Sequence, residues 1–298
     1  MTSPDWSAYR AFLTVLREGS LSGAARALGL TQPTLGRQIA DLEHALGAVL
    51  FTRSPRGLMP TDIALNSRPH AEAMEAAAGA LQRAASGGTN DAVGVVRITA
   101  SEIIGAEVLP PLLAQFRRAH PAINVELDLS NRVEDLLHGA ADIAVRMVRP
   151  SQDALVARRI GEIGLGLYAH RHYLASAPPL TNLTALALDH ALIGFDQGTP
   201  YLRELLARMP IAHADFVLRC DSDLGQLAAV RAGVGIGFIQ HGIARCDPDL
   251  VPVFTQEIGV TLDVWLALHE DLRTSKRLRL MMDHLSEGLA AYVAQSQA

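Results

Sequence analysis

The sequence predicts an α/β protein headed by an all-α winged helix-turn-helix, and three observations predict it. The first sixty residues hold three helical periodicities punctuated by Gly19 and Gly29 and followed by a Ser-Pro-Arg-Gly turn. From Val95 onward, apolar runs alternate with amphipathic ones, the pattern of a parallel sheet with helical crossovers. That alternation restarts past Gly161, which predicts two Rossmann-like α/β lobes with a cleft between them.

Bulk properties set the bounds. A chain of 298 residues that is 49% hydrophobic can bury a sizeable core and divides into two or three domains. Two cysteines, Cys220 and Cys246, are too few for a disulfide framework. No secretory leader precedes Asp5 and Trp6, and no apolar run nears the roughly 20 residues of a membrane span, so the cytoplasm is the expected compartment. The net charge of -5 would count against a nucleic-acid partner if it were evenly spread. It is not. Up to Pro60, Arg10, Arg17, Arg26, Arg37, Arg53 and Arg56 outnumber Asp5, Glu18, Asp41 and Glu43.

Helix one is expected to open with Ser3 as N-cap and Pro4 at the first helical position, then to carry Trp6, Tyr9, Phe12, Leu13 and Leu16 at helical spacing. Gly19 stops it. Ser20 caps a short second helix through Ala24, Ala25 and Leu28, which Gly29 ends, and Thr31 or Gln32 opens a third with Pro33 in its first turn. Three helices joined through a tight glycine turn make a helix-turn-helix. In the third, Leu35, Ile39, Leu42 and Leu46 form one apolar stripe, leaving Gln32, Pro33, Gly36, Arg37 and Ala40 on the opposite face. Gly36 costs up to about 1 kcal/mol relative to Ala in a helix. A helix that enters a DNA major groove needs that outward face: small residues for close approach, an amide for adenine edges, and an arginine for guanine or phosphate. Val49 to Thr52 and the return through Leu58 and Met59 form a two-stranded wing, where Arg53 and Arg56 can reach phosphate.

The stretch "FLTVLREGSLSGAARALGLTQPTLGRQIADLEHALGAVLFTRSPRGLMPT" resembles the winged helix-turn-helix of the LysR-type transcriptional regulators. The aromatic of helix one, the Gly-Ser-Leu-Ser entry, the Ala-Ala pair, the Gln-Pro recognition helix, Leu-Glu before the wing and Leu-Phe-x-Arg carry the likeness. Two positions depart from the family pattern: Gly36 stands where many members have serine, and Thr61, Asp62, Ile63 and Ala64 replace the usual Thr-Glu-Ala-Gly. The resemblance implies DNA contacts from Thr31, Gln32, Pro33, Thr34, Arg37, Arg53 and Arg56. Of these, Gln32, Thr34 and Arg37 are expected to read bases, and Thr31, Arg53 and Arg56 to hold phosphates.

From Asp62, capped by Thr61, an alanine-rich helix repeats Met74, Ala78, Leu81 and Ala85 at spacings of four and three, a two-stranded seam in miniature. An ordinary surface helix has the same composition. Pro69 is expected to kink it, and "SGGTNDAVG" reads as a hinge. By resemblance this helix dimerises the protein and presents two recognition helices to a two-fold site.

Beyond the hinge, "VVRITAS", "AINVELDLS" and "ADIAVRMV" read as strands, with "GAEVLPPLLAQFRRAHP" and "RVEDLLHGA" as helices between them. Past Gly161 follow "IGLGLYAH", "HALIGF", "YLRELLARM", "FVLRC", "DLGQLAAVRAG" and "GIGFI", then "VTLDVWLAL" and a long C-terminal helix. The resemblance extends here to the family's periplasmic-binding-protein-like effector domain. The expected division is 1–61 for the DNA-binding domain, 62–91 for linker helix and hinge, and 92–298 for the effector domain. Within the last, lobe I comprises 92–161 and 266–298, and lobe II 162–265. Ligands in open α/β sheets collect at strand C-termini and helix N-termini, which singles out Ser101, Glu102, Asn131, Arg146, Phe195, Asp196, Asp221 and Ser222 as effector-binding candidates. Each also has a local explanation: Ser101 and Ser222 suit N-caps, and Arg146 a satisfied cation. Glu102 at a helix start favours a ligand with donors or a positive charge, while Arg146 pulls toward an anion.

Several motifs carry less. "GVGIGF" lacks the third glycine of a dinucleotide loop and runs from helix into strand, the wrong order, so it reads as a helix stop. Cys220 and Cys246 read as buried structural thiols rather than redox partners. His170 and His172 have no third ligand at fixed spacing, so no metal is expected. No nucleophile elbow, phosphate loop or metal-ligand run points to an enzyme, and no cofactor is implied. The expected partners are double-stranded promoter DNA, a small-molecule effector, a second copy through the linker helix within a homotetramer, and RNA polymerase. A membrane is not among them. The rivals are a solute-binding protein dimerised by its N-terminus and an α/β enzyme.

Overall fold

The computed structural model describes residues 4–54, 57–86, 92–131, 141–150, 155–197, 216–254 and 260–297. They fall into two compact units, one ending at Ala84 and the other following it. The expected helices "RVEDLLHGA" and "YLRELLARM" lie outside the described residues, as do Ser3 and Arg56.

In the first unit, α1 (Trp6–Glu18), α2 (Leu21–Leu28) and α3 (Gln32–Leu46) precede a hairpin of β1 (Phe51–Ser54) and β2 (Gly57–Pro60) and the long α4 (Asp62–Ser86). The start of α1 differs from the expected one. Asp5 is the N-cap, its carboxylate accepting the Ala8 N–H at 3.2 Å and the Ser7 hydroxyl, and Pro4 stays outside the helix. An ionised acceptor suits the positive helix end, where those hydrogen bonds, Ser7 first, hold Asp5 below the usual carboxylate range. Ser20 and Thr31 cap α2 and α3, and Gly29 between them ends α2 in the left-handed region at φ +66°. Phe12, Leu13, Ala24, Ala25, Leu35, Ile39, Leu42 and Leu50 form one core with Ala64 and Ala71 of α4. Leu46, expected on that stripe, is exposed in the last turn of α3, just before the Gly47 cap. The wing begins two residues later than expected: Glu43 accepts the N–H groups of Leu50 (2.7 Å) and Phe51 (3.1 Å), so pairing starts at Phe51. Thr61 caps α4 through Ala64, and the helix continues through Pro69.

The second unit holds β3 (Gly94–Ala100), a π-helical turn at Ile104–Val108, α5 (Leu109–Ala119), β4 (Ile123–Leu129), β5 (Ile143–Arg146) and the 16-residue β6 (Leu155–His170). Then come α6 (Arg171–Ser176), α7 (Leu183–Asp189), β7 (Leu192–Gly194), β8 (Phe216–Arg219), α8 (Asp223–Arg231) and β9 (Ile236–Gln240). The chain closes with α9 (His241–Ala244), β10 (Leu250–Val253), β11 (Val260–His269) and α10 (Lys276–Gln297). The strands share one hydrogen-bonded order, β4-β3-β5-β11-β6-β9-β7-β8, with β10 on β6. β3 runs parallel to β4 and β5, and β7 parallel to β8 and β9, so each end is a parallel α/β lobe. Strand β6 belongs to both: it pairs β11 along Leu155 to Leu165 and β9 and β10 beyond. Ile98, Phe116 and Ile143 pack with Leu278, Met281, Leu285 and Leu289 of α10; Leu167, Leu186, Leu192, Phe216 and Ile236 form a separate core.

One expectation changes, and the histidine pair gains a local role. Cys246 is exposed and Cys220 half-buried, both as free thiols, since α9 turns Cys246 outward at its end. His170 ends β6 and caps α6 through the His172 N–H at 3.2 Å, which occupies one ring nitrogen in a local bond.

Candidate functional site

The N-terminal unit places its chemistry by burying the other face of α3. Leu35, Ile39 and Leu42 face the core, and Thr31, Gln32, Pro33, Thr34 and Arg37 are all exposed. Thr31 Oγ1 accepts the Thr34 N–H at 3.4 Å and lies 2.8 Å from the Thr34 hydroxyl, which fixes both side chains at the helix start. Arg37 Nε lies 3.8 Å from Asp41, both strongly exposed, and a pair this solvated holds the guanidinium only loosely. Gly36 faces open space apart from Leu21 Cδ1, 3.9 Å from where a Cβ would sit. Arg53 lies on β1 and Arg56 outside the described residues. The face that remains is small, uncharged at the helix start and cationic one turn later.

In the second unit, the ends of β3 and β4 and the start of α8 bring four polar residues together. Ser222 caps α8, accepting the Gly225 N–H at 3.4 Å, and donates its hydroxyl to Glu102 Oε2 at 2.8 Å. Asn131 links the same two lobes: its Oδ1 accepts the Glu102 N–H at 3.0 Å, and its Nδ2 donates to Asp223 Oδ2 at 3.0 Å. Ser101 donates its N–H to Val145 O, and its buried Oγ meets no protein partner among the described residues, so it does not cap the following helix as expected. Asp221 accepts the N–H groups of Asp196 and Gln197, both at 3.0 Å, tying the end of β7 to the entry of α8. Phe195 is half-buried beside it. Arg146, only 3% exposed, donates to Thr99 Oγ1 at 2.8 Å and to Val145 O at 3.2 Å, so it is built into the floor where β3 and β5 pair.

Two residues of this arrangement escaped the sequence reading. Asp223 closes the interlobe bridge; burial pushes its carboxyl above the usual range, the Asn131 hydrogen bond opposes that shift, and the charge of Glu102 adds to it. An acid one position after a Ser cap was a readable signal. Thr99 holds Arg146: strand parity puts Thr99 on the face of Arg97, and its pairing with Ala144 places Arg146, two residues on, on that same face.

With this geometry in view, the matches to known proteins agree end to end. A family described as bacterial regulatory helix-turn-helix protein, lysR family, matches residues 6–65, and one described as LysR substrate binding domain matches residues 89–290. The chain is 29% identical over 259 residues to an HTH-type transcriptional repressor of Pseudomonas aeruginosa, covering 84% of this chain and 81% of that one. It is 28% identical over 296 residues to a probable HTH-type transcriptional regulator, LtrA, of Klebsiella pneumoniae, covering 96% and 95%. The full-length fold of AphB, a virulence activator of Vibrio cholerae, superposes with a TM-score of 0.61 at 22% identity, covering 94% and 98%. Among the described residues no helix is long and apolar enough to cross a membrane. The chain belongs to the LysR family: it is a transcriptional regulator with an N-terminal helix-turn-helix that binds DNA and a C-terminal substrate-binding domain that takes an effector.

Proposed function

We propose that α3 lies in the major groove with Gln32, Thr34 and Arg37 toward base edges, Pro33 fixing the helix entry, and Thr31, Arg53 and Arg56 on phosphates. The exposed Thr31 to Arg37 face, set opposite a fully buried Leu35, Ile39 and Leu42, is the observation that carries this reading. Residues 1–61 form the reading domain, 62–91 the dimerising helix and hinge, and 92–298 the effector domain, in a protein that assembles as a tetramer and catalyses no reaction. The effector occupies the space between lobe I (92–161 and 266–298) and lobe II (162–265), against Ser101, Glu102, Asn131, Arg146, Phe195, Asp196, Asp221 and Ser222. Its binding free energy differs between lobe arrangements, and that difference shifts the spacing of the paired reading domains.

Fluorescence anisotropy against the upstream intergenic region and a scrambled duplex, titrated across salt, tests the DNA half. The expected result is tighter binding to the native region by several kcal/mol with a steep salt slope. Equal and weak binding to both duplexes would sink sequence-specific reading at that region.

A further inference from the structure

Between β3 and α5 the chain makes a turn wider than an α-helix, in which the Leu109 N–H reaches back five residues to the Ile104 carbonyl. The sequence supplies the cause: Pro110 and Pro111 have no N–H, so the Ala106 and Glu107 carbonyls lose the donors an α-helix would give them, and the helix restarts at Leu109. Glu102 just before this turn and Glu107 inside it both reach α8 in the opposite lobe.

They hold it at opposite ends and in different ways. Glu102 accepts one hydrogen bond from Ser222, the cap of α8. Glu107 pairs with Arg231, the last residue of α8, through two parallel bonds of 3.0 and 2.9 Å, while Arg231 Nε lies 3.1 Å from Asp247. A two-pronged guanidinium pair fixes angle as well as distance, whereas the Ser222–Glu102 and Asn131–Asp223 bonds at the other end are single-pronged. Arg231 and Glu107 are partly shielded from water, and the nine residues of α8 separate the two attachments by roughly 14 Å at 1.5 Å per residue.

We propose that the Glu107–Arg231–Asp247 cluster is the pivot of the effector domain: the lobes turn about it and part only at the Glu102/Asn131 to Ser222/Asp223 end. Glu107 and Arg231 are thereby positioning residues that set the lobe angle from outside the candidate ligand contacts. The pivot stands whether or not the cleft is the effector site; only its consequence for DNA binding rests on that reading.

Hydrogen exchange on the full-length protein, resolved to single amides, tests it. The Glu102 N–H, bonded to Asn131, reports the opening end, and the Leu109 N–H reports the pivot end. Asp223→Asn, which weakens the opening end, is expected to speed Glu102 exchange about tenfold and leave Leu109 within twofold. Arg231→Gln is expected to speed both, Glu107→Gln to reproduce it from the other side, and Arg231→Lys, which keeps the charge without the fork, to fall between. Thermal unfolding of each variant establishes that it folds, and either Arg231→Gln or Glu107→Gln suffices if the other does not. Two outcomes overturn the proposal: an effect of the folded pivot variants confined to Leu109, or an Asp223→Asn variant that loosens both ends alike.

Discussion

Arg37 stands on the outer face of α3 with Asp41, 3.8 Å away, as its one charged neighbour among the described residues. An exposed i,i+4 pair contributes only a few tenths of a kcal/mol, so exchanging that carboxylate for a guanine edge costs little. Arg37→Ala should therefore lose about 1 to 3 kcal/mol at a specific site and relax one base preference while leaving the fold intact; anisotropy at fixed salt with single-base variants of the site measures it. An unchanged base preference would strike Arg37 from the reading face. Gly235 is a residue whose need for glycine is steric rather than conformational. A Cβ there would sit 2.3 Å from the Ala191 carbonyl oxygen, and that oxygen already accepts the Ile236 N–H at 2.8 Å, so it cannot give way as a side-chain tip can. Gly235→Ala should cost about 1 to 3 kcal/mol of stability, read as a lower urea midpoint, as overpacked sites do. The run "GVGIGF" was legible as a helix stop, which Gly233 at φ +76° performs. That Gly235 meets the backbone just before β7 was not, because the contact crosses 44 residues of chain.

Helix α8 shows how an element carries a pH response. Burial raises the Asp223 carboxyl, so in the window above the ordinary carboxylate range the folded state holds a proton that the unfolded chain has released. Stability from this group is therefore full below the unfolded pKa and is lost as pH rises through the folded one. Asp223→Asn removes that dependence, and its unfolding midpoint relative to wild type should improve as pH climbs through the window. Parallel pH profiles for the two proteins would exclude Asp223 as the source. Asp5 has the opposite sign: its depressed carboxyl supports α1 above the unfolded pKa, and that support fades as pH falls through the folded one. Caps and stops were the most legible features of the elements, since a cap acts on backbone within three residues. Strand β6 was the least legible; sequence pattern marked only its second half, "IGLGLYAH", because Val156 to Arg159 are exposed and offer no apolar alternation.

At the scale of the whole molecule, α4 carries Leu65, Met74 and Leu81 exposed, Leu81 at 71%. A helix with its small residues against its own domain and its large ones in solvent suits a second copy of itself. Leu81→Glu should shift the protein toward monomer in sedimentation velocity and weaken binding to a two-half-site operator much more than to a single half-site. A variant that sediments as wild type would move the dimer interface elsewhere.

The sequence by itself determined the order of helices, the glycine stops, the exposed face of α3 and the two-lobed α/β pattern, because each follows from periodicity and backbone chemistry acting within a few residues. Tertiary structure alone decided which polar residues meet. Asn131 and Asp223, Glu102 and Ser222, and Glu107 and Arg231 are bridged across about a hundred residues each, and no local pattern encodes a partner at that distance. The physical reason is that side-chain hydrogen bonds depend on how sheet and helices bring their ends together. Only the packing of α8 against the π-turn made one line of contacts from residues the chain holds far apart.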